Sequence, residues 1–196
     1  MRNGRNARNG RNARNGLLVL VVACLGAGTL DARAEVKTVD SGAFTFEHRL
    51  TLPGSPARIY DAITGDLSPW WDHKFSENPK GFYIEPWPGG GFYEVFNDAG
   101  DGVLHATVTW AERGKRLRFA GPLGLAGNGL VFESTYDLEA KGDSTVVHFK
   151  GSGSGHIEKD WPTIVDSVWA HFLFERLKPY VESGKDRDKK AWPKRK

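Results

Sequence analysis

From Ala43 to Leu52 the residues alternate strictly: Phe44, Phe46, His48, Leu50 and Leu52 fall on one face, and Thr45, Glu47, Arg49 and Thr51 on the other. A period of two is the mark of a half-buried strand. Pro53-Gly54 ends it. Ser55-Pro56 pairs a capping hydroxyl with proline at the first helical position, so a helix is predicted over about 56–64, with Ile59, Tyr60 and Ile63 as its apolar stripe and Gly65 as its stop. Ser68-Pro69 repeats the start signal before Trp70-Trp71, which predicts a short second helix.

Strand patterns then follow one another over 81–85, 91–97, 103–112, 116–121, 130–139 and 144–150, separated by turn-forming runs such as Pro86-Trp87-Pro88-Gly89-Gly90 and Asp98-Ala99-Gly100-Asp101-Gly102. In the longest of these, Leu104, Ala106, Val108 and Trp110 are expected to share a face. Residues 121–129 read as a Gly-rich loop and 151–155 as a flexible one. From about 158 to 182 the period changes to the helical one: Trp161, Ile164, Val165, Val168, Trp169, Phe172 and Leu173 recur on one stripe. Pro179 predicts a kink or an early end, and Gly184 a stop. A strand, two short helices, about six strands and one long amphipathic helix give a two-layer α+β domain, an antiparallel sheet with the last helix buried on it.

The flanks of this region differ in kind. Residues 2–16 repeat Arg, Asn, Gly and Ala, and are read as disordered. Leu17 to Leu30 carries no charge but is short for a membrane span, and Ala32-Arg33-Ala34 supplies a small-x-small site. Export with cleavage after Ala34 is the expectation. A lipoprotein retained at Cys24 and an uncleaved anchor are the alternatives, so the membrane is met only through this segment. An apolar run directly after the Arg-rich repeat argues against a nucleic-acid-binding arm. The chain is thus divided into a leader over 1–34, a linker over 35–42, a domain over 43–184 and a basic disordered tail over 185–196.

Charge sharpens this division. The whole chain is formally +3, yet residues 35–184 hold 14 basic and 21 acidic groups. An acidic domain is a poor partner for nucleic acid. The single cysteine, Cys24, excludes an internal disulfide framework, and cleavage after Ala34 would leave no thiol chemistry.

Little in the sequence points to catalysis. The six histidines, at 48, 73, 105, 148, 156 and 171, form neither HxxxH nor HExxH. His156 with Glu158, and Asp72 with His73, are incomplete ligand sets, so no metal and no cofactor is expected. There is no GxSxG, and the Gly-rich runs lack a phosphate-cradle pattern. His48, on the apolar face of its strand, is a weak candidate acid or base, and His171 on the last helix is a second histidine of interest. Glu94 and Glu133 are expected to face solvent. The stronger signal is aromatic: Trp70, Trp71, Phe82, Phe92, Phe96, Phe119, Phe132, Trp169 and Phe172 exceed what a two-layer core needs and are candidate lining for a pocket that takes a small hydrophobic or aromatic molecule.

Segments of the chain resemble the START-like (SRPBCC) superfamily, in the branch of Hsp90-ATPase-activator homologues and polyketide-cyclase-like proteins. They are Leu52-Pro53-Gly54-Ser55-Pro56-Ala57-Arg58-Ile59-Tyr60-Asp61-Ala62-Ile63-Thr64, the Trp70-Trp71 pair, Pro88-Gly89-Gly90-Gly91-Phe92, and the closing helix from Trp169 to Tyr180. Together they cover about residues 43–183. The resemblance implies a helix-grip fold: a curved antiparallel sheet wrapped around the C-terminal helix, with a hydrophobic cavity between them. It implies a small-molecule binder first. A cyclase or aromatase using His48 or a tyrosine is the alternative. A module that activates Hsp90 fits poorly with a secretory leader.

Overall fold

The computed structural model describes residues 38–189. The leader, the cleavage site after Ala34, Cys24 and the last residues of the tail lie outside them.

Strand β1 (Ser41–Pro53) leads into helix α1 (Pro56–Ala62), followed by β2 (Gly65–Asp66), β3 (Gly81–Ile84), β4 (Gly91–Val95), β5 (Gly102–Glu112), β6 (Arg116–Gly121), β7 (Leu130–Lys141) and β8 (Ser144–His156). All eight form one sheet in the order β1-β8-β7-β6-β5-β4-β3-β2, antiparallel throughout. From β2 to β8 the chain is a meander. β1 then pairs with β8 along its whole length, from Ser41↔His156 to Pro53↔Ser144, which joins the two ends of the domain.

The last helix is α2 (Trp161–Ala170), a π-helical stretch (His171–Leu177) and α3 (Lys178–Glu182) in succession. Pro179 does not end it. Proline lacks the N–H that would close an α-turn, and the wider turns lie directly before it, with Lys178 N–H reaching back to Leu173 O. Gly184, at φ +76, turns the chain out of the helix. The helix lies in the concave face of the sheet. Trp169, Phe172, Leu173 and Leu177 meet Leu50, Leu117, Phe119, Phe132, Tyr136 and Phe149 in one core. Trp169 stacks on Phe149 with ring centroids 4.3 Å apart. This is a helix-grip fold, a curved sheet closed around a C-terminal helix.

Several expectations are revised. The second short helix reduces to one turn, in which Trp70 and Trp71 N–H both bond Leu67 O (3.1 and 2.9 Å). One turn cannot offset the cost of helix nucleation by itself, and here the Trp70 ring anchors it, its indole N–H donating to Ala62 O at 3.1 Å. The supposedly flexible 151–155 run is the second half of β8, fixed by ladders to β1 and β7 on both sides. Its glycines serve packing: a Cβ on Gly151 would lie 2.4 Å from the Phe46 ring, and one on Gly153 2.4 Å from the Phe44 ring.

β5 departs from simple alternation. Phe92 pairs with Ala106 but Tyr93 with Leu104, which leaves His105 as an extra residue, and a second register shift falls between Val108 and Trp110. Each bulge reverses the faces beyond it. Leu104 and Trp110 are therefore 49% and 43% exposed, while Ala106 and Val108 are buried. Trp110 lies on the outer face beneath the guanidinium groups of Arg116 and Arg118.

The tail begins as part of the domain. A 3-10 turn over Lys185–Asp188 buries Asp186, whose carboxylate takes two hydrogen bonds from Arg58 (2.6 and 2.7 Å). The Lys189 ammonium bonds the carbonyls of Asp61, Ala62 and Thr64 at the end of α1.

Candidate functional site

Between helix and sheet lies a cavity of about 550 Å³, open on one side. Its sheet wall is Phe82, Phe92, His105 and Phe132, and its helix wall Ile164, Val165, Val168, Trp169 and Phe172. Trp71 closes the inner end, while Asp72 to Phe75 and Leu123 to Leu125 form the rim. The wall is aromatic because inward positions of β3, β4 and β7 are phenylalanines, and because the turn at Leu67 delivers Trp71 against the helix. Trp71 stacks on Phe172 at 4.0 Å and meets Trp169 and Phe92 edge-on.

Of the nine aromatic candidates, the fold brings Trp71, Phe82, Phe92, Phe132, Trp169 and Phe172 to this cavity. The other three lie elsewhere. Trp70 is buried beneath α1, Phe119 packs between Phe92 and Tyr136, and Phe96 is half-buried beyond the end of β4, where its N–H closes the hairpin on Asp101 O. His48 is also away from the cavity. Its ring sits among Phe46, Phe149 and Phe174, with Nε2 3.0 Å from Asp166 of α2, so it joins strand to helix. None of the five tyrosines lines the cavity, and burial pushes Tyr136 far above its ordinary range. His48 and the tyrosines are not among the residues that line this cavity.

Two polar groups define the site: Glu94 with His105, which the sequence did not bring together, and a cluster at the mouth that joins His171 to Asp72 and His73. Glu94, expected at the surface, is fully buried. Its Oε2 accepts the Phe75 N–H (3.0 Å), its Oε1 accepts the Ser76 N–H (2.6 Å), and His105 Nε2 lies 3.0 Å from Oε2. Phe75 stacks parallel to His105, so the carboxylate holds the rim segment down over the histidine. The alternation of β4 does mark Glu94, which shares the inward face with Phe92 two residues before it, whereas His105 faces inward only because it is the extra residue of the bulge.

The second group is at the mouth. Asp72 accepts from His73 Nδ1 (2.9 Å) and His171 Nε2 (2.8 Å), and Arg176 Nε lies 3.1 Å away. His171 Nδ1 meets Glu175 at 2.8 Å. Burial raises the Asp72 pKa, but the hydrogen bonds from His73 and His171 and the charges of His171 and Arg176 outweigh it and hold the carboxyl below its ordinary value. Hydrogen bonds to Asp72 and Glu175 raise His171. Asp72, His73 and His171 place one ligand atom each within 4.8 Å of one another. A divalent cation there would have to displace these hydrogen bonds and sit beside the fixed charge of Arg176, so the geometry favours an ion-pair network. Glu133, as expected, lies on the outer face, 3.7 Å from Arg118.

No family profile and no curated protein matches the chain. Solved structures do. The Aha1 dimer from Colwellia psychrerythraea is 28% identical, with a TM-score of 0.50, over 72% of this chain and 98% of that one. An uncharacterised protein from Rhizobium leguminosarum is 14% identical, with a TM-score of 0.57, over 75% and 99%. DynU16, a protein of the dynemicin biosynthetic locus, is 19% identical, with a TM-score of 0.50, over 71% of this chain and 48% of its own. These likenesses concern the fold, the helix-grip arrangement described above.

Proposed function

We propose that the chain is an exported START-like protein that binds a small apolar or aromatic molecule between the sheet and the C-terminal helix. The observation that carries this reading is the aromatic-walled cavity of about 550 Å³, a size and lining suited to a compact organic ligand. The likeness in fold to an Aha1 dimer and to a protein of a biosynthetic locus supports kinship with the Hsp90-activator and polyketide-cyclase-like branch. The uncharged run from Leu17 to Leu30 and the Ala32-Arg33-Ala34 site support export.

The test is native mass spectrometry of the protein isolated from cell extract, with titration of an apolar fluorescent probe followed by tryptophan emission. A 1:1 adduct, lost when Val168→Trp fills the cavity, is the expected result. No adduct and no probe binding would overturn the binding role. Amino-terminal sequencing of exported material is expected to begin at Glu35, and a lipidated Cys24 terminus would replace cleavage with anchoring.

A further inference from the structure

The cavity wall is apolar except at one point. His105 is 5% exposed, its ring stands between Phe75, Phe82 and Phe92, and it belongs to the lining. The proton arrangement follows from its partner. Each oxygen of Glu94 already accepts a backbone N–H, from Phe75 and from Ser76, so the carboxylate acts as an acceptor on both sides. An ionised carboxylate can only accept, so with Glu94 ionised His105 Nε2 brings the proton to the 3.0 Å contact. That leaves Nδ1 of the neutral ring with a lone pair, and among the described residues it has no hydrogen-bonding partner. Nδ1 is not among the fully buried polar atoms that lack a partner, so it keeps some exposure where the ring lines the cavity, and a ligand that supplies a donor there takes the place of solvent.

The bulge strengthens the argument. Without it, the alternation set by Ala106 and Val108 would turn position 105 outward, like Thr107, and bring Leu104 inward beside Ala106. Bulges commonly re-aim a side chain beside a working site. Here the bulge inserts a single polar group into an otherwise hydrophobic wall, and a buried carboxylate holds it in one tautomer.

We infer that the Glu94–His105 pair is the polar recognition point of the cavity, and that the cavity's ligand is an aromatic molecule carrying a hydroxyl donor, a phenol or an enol, whose O–H is accepted by His105 Nδ1. This rests on the cavity being a small-molecule site and adds the ligand's chemistry.

The experiment uses the full chain with 2-naphthol and 2-methoxynaphthalene, which share a ring system and differ in the donor. The wild type is expected to bind 2-naphthol roughly 2- to 12-fold more tightly, the range of one hydrogen bond to a neutral acceptor. His105→Phe should remove that preference and keep the affinity for 2-methoxynaphthalene. Should that variant fail to fold, the imidazole ¹⁵N resonances of wild-type His105 decide. Nδ1 is expected to shift with 2-naphthol and to stay with the ether. Equal affinities in the wild type, or a preference that survives in His105→Phe, would overturn the recognition point and leave the cavity as a binding site. If neither compound binds, both readings fall. Consumption of 2-naphthol during the titration would overturn the description of the pair as a recognition point only.

Discussion

Arg58 and Asp186, 128 positions apart, form a two-bond ion pair that ties the start of α1 to the chain beyond the last helix. The same guanidinium donates to Pro53 O and Val181 O, both at 2.9 Å. One side chain thus joins the end of β1, helix α1, helix α3 and the turn after it. The Asp186 side chain is 1% exposed and that of Arg58 20%. Such a pair is worth most when one partner is removed, because the other remains as a buried charge. Arg58→Ala is expected to cost roughly 3–5 kcal/mol, measured as the shift in urea midpoint. The double change Arg58→Met with Asp186→Leu should recover much of it. A loss below about 1 kcal/mol in the single variant would class the pair with surface ion pairs.

Trp169 is the residue on which the grip depends. It is 3% exposed and packs at once against Phe149, Phe132, Trp71 and Phe172, from both the sheet and the helix side. Trp169→Ala is expected to destabilise by about 3–5 kcal/mol and to enlarge the cavity it lines. An unchanged urea midpoint would mean that the sheet does not hold the helix.

The sequence was most legible where structure is local. The strict alternation of 43–52 became β1, and Ser55-Pro56 started α1, with Ser55 Oγ accepting the Arg58 N–H. The apolar stripe from Trp161 to Leu173 became the last helix, gripped at Trp169, Phe172 and Leu173, while Ile164 of the same stripe stays 55% exposed. What was not legible depends on distant partners. Pairing with β4 and β6 creates the bulges that turn His105 inward and Trp110 outward, and nothing in GVLHATVTWAE announces them. The glycines of β8 looked like a loop because their purpose, room for Phe44 and Phe46, belongs to β1. Asp186 looked like part of a charged tail because its counter-ion is in α1. Six of the nine aromatics counted in the sequence line the cavity while also belonging to the core, yet composition could not say that Trp70 and Phe119 face away from the space that Trp71 and Phe92 enclose.

Lys189 gives a stability term with a definite pH sign. Burial, which outweighs the nearby carboxylates of Asp66, Asp61 and Asp186, pulls its pKa down to about 8. The unfolded chain holds that proton to a higher pH. Between about 8 and the ordinary lysine value the unfolded state binds more protons, so this group's contribution to stability rises with pH across that window and is lost as pH falls through 8. The slope is at most about 1.4 kcal/mol per pH unit. The difference in unfolding free energy between wild type and Lys189→Met should therefore move in favour of the wild type from pH 8 to 10. A difference that does not vary with pH would show that Lys189 keeps its proton among the carbonyls of α1.

The mouth of the cavity should respond to pH in the opposite sense. His171 bridges Asp72 on the rim and Glu175 on its own helix, and both carboxylates raise its pKa. A histidine held charged by the fold contributes stability that is full below its unfolded pKa and is lost as pH rises through the folded one. Asp72 faces His73, His171 and Arg176, so deprotonating His171 leaves Arg176 as the fixed cation opposite it. In an NMR titration the His171 ring should titrate above ordinary histidine, and Asp72→Asn should bring its midpoint down while Arg176→Gln raises it further. The imidazole is partly exposed, so added salt should weaken the shift as well. A His171 midpoint unmoved by Asp72→Asn would mean that the rim is not tied to the helix by this ion pair.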